Sequence, residues 1–285
     1  MKDFKGKVAV VTGAASGIGL GIVKKCIQEE MNVIAADIDI KRLRRVEKKM
    51  KREGVSIVAI QSDVSKPNDV EHLAKVTLDT YGEVNLLFSN AAVANTKYTW
   101  NYTLNDWEWQ LGVNLFGVIH GIRVFVPIML KQDNECHIVN ISSIEGLVSG
   151  SGPGGAIYGL SKHGVLSLTE TLRQELDLIG AKLKVSAVCP GWVKTRIIYG
   201  DIHRPVEFQN DLDDLIEDTR NEDLAEAYEI EDMFEQSPPI SPEETAEIIF
   251  QGIREEKLYI LTHKDAYLKG IVKQRFDEIL SAFED

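Results

Sequence analysis

The sequence predicts an α/β chain built on a doubly wound parallel sheet of about seven strands, with helices on both faces. Three observations predict it. Short β-branched runs alternate with longer helical patterns from residue 7 to residue 189, and alternation at that spacing means βαβ units and a parallel sheet covered on both sides. A glycine-rich turn, Gly13 to Gly19, stands where the first strand gives way to the first helix. The length of 285 residues, with 44% hydrophobic and 27% charged residues, suits one large domain with a substantial core.

Residues 7–12 (KVAVVT) form the first buried strand, and the helix after the glycine turn runs to about residue 29. The second strand is 32–37 (NVIAAD), followed by a charged helix over 41–53. After a third strand at 55–61, a helix opens at Ser65 with Pro67 in its first turn, where a missing N–H costs nothing. A fourth strand (84–89), a long helix (105–130), a fifth strand (136–142), a second long helix (156–178) and a sixth strand (184–189) continue the rhythm. It breaks after Gly191. Residues 200–240 are polar and acidic, with one or two helices between irregular ends. Ser241-Pro242-Glu243-Glu244 is a capping box with proline at the first helical position, opening a helix to about residue 255. A last strand at 258–261 and a closing helix at 264–283 complete the chain. With no internal repeat, low-complexity tract or linker, a single domain over 1–285 is expected, carrying an acidic insertion at about 192–240 and a C-terminal helix-strand-helix at 241–285.

The net charge of −12 resides in one segment, because residues 201–240 hold 14 Asp/Glu against two Arg and no Lys. An acidic excess argues against nucleic acid and anionic membranes as partners. No stretch approaches the roughly 18–20 apolar residues needed to cross a bilayer, so no membrane insertion is expected. The N-terminus leads straight into a strand with no secretory pattern. Cys26, Cys136 and Cys189 lack framework spacing, which favours reduced, buried thiols and a cytoplasmic location. His72, His120, His137, His203 and His263 have no partners at metal-ligand spacing, so no metal site is expected. His163 reads as structural. The cluster Trp100, Tyr102, Trp107 and Trp109 reads as core or subunit packing.

Within the turn, Thr12-Gly13-Ala14-Ala15-Ser16-Gly17-Ile18-Gly19, the glycines let the backbone approach a pyrophosphate, and the helix N-terminus offers that anion N–H groups and a positive dipole end. Asp37 ends the second strand 18 residues after Gly19. A carboxylate there can accept from the adenosine ribose hydroxyls and repel a 2′-phosphate, which predicts NAD over NADP. Lys41, Arg42, Arg44 and Arg45 follow closely and are read as a solvated helix face.

Tyr158 and Lys162 lie four apart on one helix face. An ammonium beside a phenol stabilises phenolate and is expected to lower the tyrosine pKa, suiting Tyr158 to act as general base on a hydroxyl or acid toward a carbonyl. Upstream, Asn140-Ile141-Ser142-Ser143 ends a strand at the carboxyl edge of the sheet, where a serine hydroxyl can hold a substrate oxygen as charge develops.

Taken together these motifs resemble those of the short-chain dehydrogenase/reductase family across roughly residues 5–195. The family's Thr-Gly-x-x-x-Gly-x-Gly turn matches 12–19, and its Asp-Val pair, implied to contact adenine, matches Asp63-Val64. Its Asn-Asn-Ala-Gly segment is similar to Ser89-Asn90-Ala91-Ala92, and the helix Asn implied to hold a catalytic water matches Asn114. The serine followed by x-x-Gly is Ser143, since Gly146 follows; Tyr158 and Lys162 match the base and its helper, with Lys162 also implied to bind the nicotinamide ribose. Pro190-Gly191-Trp192-Val193-Lys194-Thr195 matches the loop implied to contact the nicotinamide carboxamide. The cofactor contacts implied are thus Gly13, Ser16, Gly17, Ile18, Gly19, Asp37, Ile38, Asp63, Val64, Asn90, Ala91, Tyr158, Lys162, Pro190, Gly191, Val193 and Thr195. Three departures stand out. Ala92 and Ser89 replace the usual Gly and first Asn. The Ser143–Tyr158 gap of 15 is about two longer than usual, with the surplus in 150–155, and the common Asp-Gly-Gly close is missing.

The resemblance implies a Rossmann-fold, NAD(H)-dependent oxidoreductase interconverting a secondary alcohol and a ketone, a homodimer or homotetramer through the two long helices. Its acidic insertion is expected to cover the substrate. The apolar residues Trp192, Ile197, Ile198, Tyr199, Val206 and Phe208 suggest a bulky, steroid- or lipid-like alcohol, with Ser143, Tyr158, Trp192 and Tyr199 as substrate contacts. Two alternatives stay open: an NADP-dependent carbonyl reductase, and a non-catalytic dinucleotide-sensing regulator.

Overall fold

The computed structural model describes residues 1–52, 55–148, 154–197, 200, 202, 204–210 and 234–284. Tyr199, most of the acidic insertion and residues 150–153 of the expected Gly-rich surplus lie outside the described residues. Seven strands, β1 (Val8–Thr12), β2 (Asn32–Asp37), β3 (Ile57–Gln61), β4 (Leu86–Ser89), β5 (Cys136–Ile141), β6 (Leu183–Cys189) and β7 (Tyr259–Leu261), form one sheet in the order β3-β2-β1-β4-β5-β6-β7. Every neighbouring pair is parallel. The doubly wound sheet expected from the sequence is therefore the one observed. The chain walks outward from β1 to β3, returns to lay β4 on the other side of β1, and walks out again. The seam between β1 and β4 is the point where the strand order reverses, and a crevice opens there at the carboxyl ends of the strands.

Eight α-helices are described: α1 (Gly17–Gln28), α2 (Ile40–Arg52), α3 (Pro67–Tyr81), α4 (Leu104–Leu111), α5 (Gly117–Gln132), α6 (Ala156–Leu178), α7 (Pro242–Arg254) and α8 (Ala266–Ser281). Their apolar residues make two layers. On one face of the sheet Ile22, Val23, Leu43, Ile249 and Phe250 pack against Val11, Val33 and Phe88. On the other, Leu73, Phe125, Met129 and Leu172 cover Val10, Ile34 and Leu87. Burial on both sides is why β1 carries five buried residues and no polar alternation.

Two helix starts differ in how well the sequence foretold them. Ser241 caps α7 through the full capping box with Glu244, as expected. α3, expected from Ser65, begins at Pro67. Asp63 explains the shift: its Oδ1 accepts from the Ser65 N–H (3.0 Å) and hydroxyl (2.6 Å), closing a local turn that competes with helix.

The helix expected at 105–130 is a composite rod. α4 and α5 are joined without a break by a π turn, Gly112–Phe116, a wide turn often found at functional sites. Thr103 caps the rod through a capping box with Asp106. Continuity through the π turn corrects one expectation. The rod Leu104–Gln132 includes a window of mean hydropathy 1.8, long and apolar enough to cross a bilayer by length and composition. In the fold, the rod lies against the sheet with Val118, Phe125 and Met129 buried.

Candidate active site

The crevice at the β1–β4 seam begins with the turn after β1. Gly13 takes φ +65°, and a Cβ there would stand 2.8 Å from Asn90 Nδ2 and 2.9 Å from Ala91 Cα, so the segment after β4 lies directly on the turn. Asn90 fastens the two together. Its Nδ2 donates to the carbonyl of Thr12 (2.8 Å), and its N–H donates to the Thr12 hydroxyl (2.9 Å). Ser16 is the N-cap of α1 but makes no side-chain cap bond, and the first turn holds no acidic residue. That leaves the helix N-terminus to offer its N–H groups and dipole to an anion, with no cap bond from the Ser16 side chain. Ile18 and Gly19 follow in the same first turn.

Asp37 ends β2 beside this turn. Its Oδ2 accepts from the Ala15 N–H and its Oδ1 from the Asp39 N–H, both at 2.9 Å, so two main-chain groups orient the carboxylate. Ile38 next to it is exposed, as are Lys41, Arg44 and Arg45 on the outer face of α2. Asp63 and Val64 lie beyond the end of β3. The Asp63 carboxylate is engaged in the Ser65 turn, and the Val64 carbonyl meets His120 Nδ1 at 3.0 Å. Turn, carboxylate and capless helix fit a dinucleotide with its pyrophosphate at α1 and its adenosine ribose at Asp37.

The chemical end lies across the seam, beyond β5. Ser142 and Ser143 part ways there. Ser142 is buried and donates to the Lys162 carbonyl (2.8 Å). Ser143 caps a short 3-10 turn, its Oγ accepting from the Glu145 N–H (3.2 Å), and its hydroxyl is near enough to the Tyr158 phenol to favour the phenolate. One helical turn on, Lys162 is buried with Nζ 5.4 Å from the centre of the Tyr158 ring, donating to the Ile141 carbonyl (3.0 Å). The structure thus brings Ser143, Tyr158 and Lys162 together.

The acid–base balance differs from the sequence expectation. Burial pushes the Tyr158 phenol up to about 12; the Ser143 hydrogen bond pulls it partway back, and the Glu145 carboxylate opposes that pull. Burial also lowers the Lys162 ammonium to about 8. Spacing alone suggested that Lys162 would depress the phenol. The lysine instead points at a main-chain carbonyl, and desolvation of the phenolate dominates.

Asn114 sits in the π turn, and its side chain is heavily engaged. Oδ1 accepts from the Val93 N–H (2.8 Å), and Nδ2 donates to the Val93 carbonyl (2.8 Å) and toward Ser161 Oγ (3.3 Å). Both amide hydrogens are used, so a water held at Asn114 would bind the main-chain carbonyl or the second lone pair of Oδ1. The Pro190–Thr195 loop is pinned on several sides. The Pro190 carbonyl accepts from the Ile144 N–H (2.8 Å), the Gly191 N–H donates to Thr262 Oγ1 (3.1 Å), and Val193 bridges Ile240. Thr195 then reaches the glycine turn, its Cγ2 3.2 Å from where a Cβ on Gly17 would stand. Trp192 packs edge-on against Phe234 (5.4 Å), and its indole N–H is buried without an acceptor among the described residues.

Several features were not legible beforehand. Asp106, Lys97 and Arg204 form a nearly solvent-free ion cluster, with Asp106 paired to Arg204 and 3.3 Å from Lys97. Despite its burial, Asp106 is held down at about 2 by the Arg204 hydrogen bond, the Thr103 N–H and the charge of Lys97. The aromatic cluster is divided. Trp109 is buried beneath the Arg204 guanidinium (4.4 Å), whereas Trp100 is 78% exposed and stacks on Tyr98. His163 is structural, bonded to the Gly159 carbonyl (2.9 Å) and to Arg275 of α8 (2.6 Å). Among the described residues no group of three or more His, Cys, Asp or Glu could hold a metal ion.

Comparison with known proteins agrees with this geometry. A family profile described as short chain dehydrogenase matches residues 7–201. The chain is 29% identical to a CLA biosynthesis dehydrogenase/reductase of Lactiplantibacillus plantarum, covering 93% of this chain and 91% of that one. It is 27% identical to a 1-deoxy-11-beta-hydroxypentalenate dehydrogenase of Streptomyces arenae, covering 96% and 87%. Among solved structures, a short chain dehydrogenase/reductase from Burkholderia phymatum in complex with NAD is 36% identical and superposes with a TM-score of 0.86 over 99% of this chain and 97% of that one. The parallel sheet, the glycine turn at its seam and the matched residues 7–201 place the chain in the short-chain dehydrogenase family, NAD(P)-binding oxidoreductases that act on CH–OH groups.

Proposed function

We propose that the chain interconverts a secondary alcohol and a ketone with NAD(H), using Tyr158 as the proton-transfer group. The observation that carries this reading is the Ser143–Tyr158–Lys162 constellation at the carboxyl edge of the sheet, across the seam from the glycine turn. When bound, the dinucleotide supplies the hydride acceptor for alcohol oxidation or the hydride donor for ketone reduction. The residues of the chain do the rest. In reduction, Tyr158, held protonated by its raised pKa, donates its proton to the carbonyl oxygen while Ser143 hydrogen-bonds that oxygen. In oxidation, Tyr158 takes the hydroxyl proton as the phenolate, a state that burial disfavours and Ser143 favours. Asn114 offers a water on the proton's path its main-chain carbonyl or the second lone pair of Oδ1.

NAD is favoured over NADP by Asp37, whose main-chain bonds aim it where ribose hydroxyls would bind. The Burkholderia phymatum structure in complex with NAD supports the same choice. The Trp192–Phe234 pair, with the relative named for a hydroxypentalenate, supports a bulky hydrophobic alcohol. Exposed apolar residues on the rod and on α6, Leu104, Phe116, Leu130 and Leu160, support pairing of two copies through these helices. Three free, buried cysteines suit the cytoplasm.

The test is turnover of 2-octanol, cyclohexanol, a hydroxysteroid and a hydroxy fatty acid, with NAD and NADP in parallel. Turnover is expected with NAD, and Tyr158→Phe is expected to abolish it while NADH binding stays nearly intact. Substantial residual activity in Tyr158→Phe would overturn the assignment. Tight NADH binding without turnover across the panel would favour a dinucleotide sensor instead.

A further inference from the structure

The rod turns an unusual face inward. Asp106, Gln110 and Asn114, at four-residue steps, are all but fully buried. They face residues 93–97, which follow β4 without regular secondary structure. Each step of the rod grips that segment. Asn114 takes both main-chain groups of Val93, Gln110 Nε2 donates to Asn95 Oδ1, and Asp106 accepts from Asn95 Nδ2 (3.1 Å) and pairs with Lys97 (3.3 Å).

The other side of the segment is fastened to the start of α6. The Tyr102 hydroxyl shares its proton between the carbonyls of Gly154 (2.5 Å) and Asn95 (3.0 Å) and accepts from the Lys97 N–H (3.2 Å), which also donates to Gly154 (3.3 Å). Gly154 stands four residues before Tyr158. A third element closes over the same carboxylate. Asp106 binds the guanidinium of Arg204, and from the same stretch Asn210 bonds Thr103 (2.7 Å) and Glu207 pairs with Lys66 (3.1 Å).

We propose that Asp106 is a positioning residue for the oxidoreductase site, holding residues 93–97 and 204–210 in register with the start of the Tyr158 helix so that the alcohol is seated correctly. The proposal rests on Tyr158 being the proton-transfer group. The buried ion cluster is the reason to look beyond stability. Such clusters contribute little net stability, and apolar replacements of similar volume are often neutral or better, whereas removing one partner is damaging. What the cluster adds is fixed geometry between three segments distant in sequence. The bonds of the cluster run to Asn95, Lys97, Thr103, Arg204 and Asn210, so alcohol binding is expected to depend on Asp106 more than dinucleotide affinity does.

The test compares Arg204→Met, Asp106→Asn and the apolar triple Lys97→Met/Asp106→Leu/Arg204→Met with the unaltered protein. The readouts are KM and kcat for the panel alcohol of highest turnover, NADH affinity by protein fluorescence, thermal stability, and amide hydrogen exchange over 93–97 and 154–158. Arg204→Met is expected to raise KM for the alcohol about tenfold with NADH affinity changed less than twofold. Asp106→Asn should do more if it folds. In the triple, stability is expected to return while KM stays high and both segments exchange faster. Recovery of KM along with stability would overturn the proposal, because the cluster would then be merely structural. A wild-type KM in folded Arg204→Met, or an equal loss of NADH affinity, would overturn it too. Tyr158→Phe is run beside them. If that variant retains turnover, the assignment of the proton-transfer group fails, while the KM comparison and the exchange data still judge Asp106.

Discussion

Adding one methyl group to Gly19 and one to Gly270 should move stability in opposite directions. At Gly19 a Cβ would stand 2.1 Å from the Gly13 carbonyl oxygen and 2.6 Å from Asn90 Nδ2. Neither neighbour can retreat cheaply. The first is main chain in the tight turn, and the second is held by the carbonyls of Thr12 (2.8 Å) and Gly13 (3.3 Å). Overpacking of this kind costs about 1–3 kcal/mol, and loss of the Asn90–Thr12 bond adds about 0.5–1.5 kcal/mol. A total of roughly 2–4 kcal/mol corresponds to a fall in Tm of about 4–10 °C for a chain of this size. Gly270, in α8, has nothing within 4 Å of the added Cβ. There the substitution removes only the flexibility of glycine in a helix and should stabilise by roughly 0.5–1 kcal/mol, raising Tm by about 1–3 °C. Thermal unfolding followed by circular dichroism reads both, and NADH titration should show weakened binding in Gly19→Ala alone. A Gly19→Ala variant with unchanged Tm and unchanged NADH affinity would refute the packing argument for the turn.

Two further outcomes follow from buried titratable groups. His137 lies fully buried in β5 with Nε2 2.8 Å from the Ser186 hydroxyl, and burial lowers its pKa from 6.5 to about 3. The unfolded chain therefore takes up this proton first, so the stability tied to His137 is complete above about pH 6.5 and is lost as pH falls toward 3. Urea unfolding midpoints measured across that window should decline less steeply in His137→Gln, and an unchanged acid limb in the variant would contradict the assignment. The thiols of Cys136 and Cys189 are pushed up to about 12 by burial, and Cys26 is pushed up as well. A chromogenic disulfide reagent should label none of the three within minutes in the folded protein and all three in denaturant; rapid labelling of the native chain would show that the interior opens far more readily than its packing implies.

The elements most legible in sequence were those set by local signals. β1 and β2 were visible as β-branched runs bounded by glycine and charge, and α7 by a capping box that needs only four consecutive residues. The site was legible to the same degree: the glycine turn, Asp37 and Ser143 sit at element boundaries that the chain itself announces, and Tyr158 and Lys162 share a face in the first two turns of α6. What escaped depends on distant partners. The π turn at 112–116 accompanies the grip of Asn114 on Val93, a contact made 21 residues away. Nothing local marks Lys97 and Arg204, and only the fold brings both to Asp106, across 98 residues in the case of Arg204. The direction of the Tyr158 pKa shift was misread for a related reason. Spacing reveals that a lysine is near, but only the packed interior reveals how strongly the phenolate is deprived of water. Thr103-Leu104-Asn105-Asp106 was the missed local signal, since the capping box is visible in sequence and the same aspartate proves to be the hub of the cluster.

The π turn has a consequence for how the gene can vary. In a regular α-helix each residue advances about 100° around the axis, so four-residue steps drift steadily to one side. The wider turn at 112–116 takes up that drift, letting Asp106, Gln110 and Asn114 continue in line with Val118 and Phe125 on one inward stripe. Loss of a single codon within 112–116 would restore ordinary helix and swing α4 by about 100° relative to α5. The apolar half of the rod would stay seated on the sheet while its polar half turned away from residues 93–97. Point substitutions along this rod can be absorbed one contact at a time, but its length in residues is fixed as an integer.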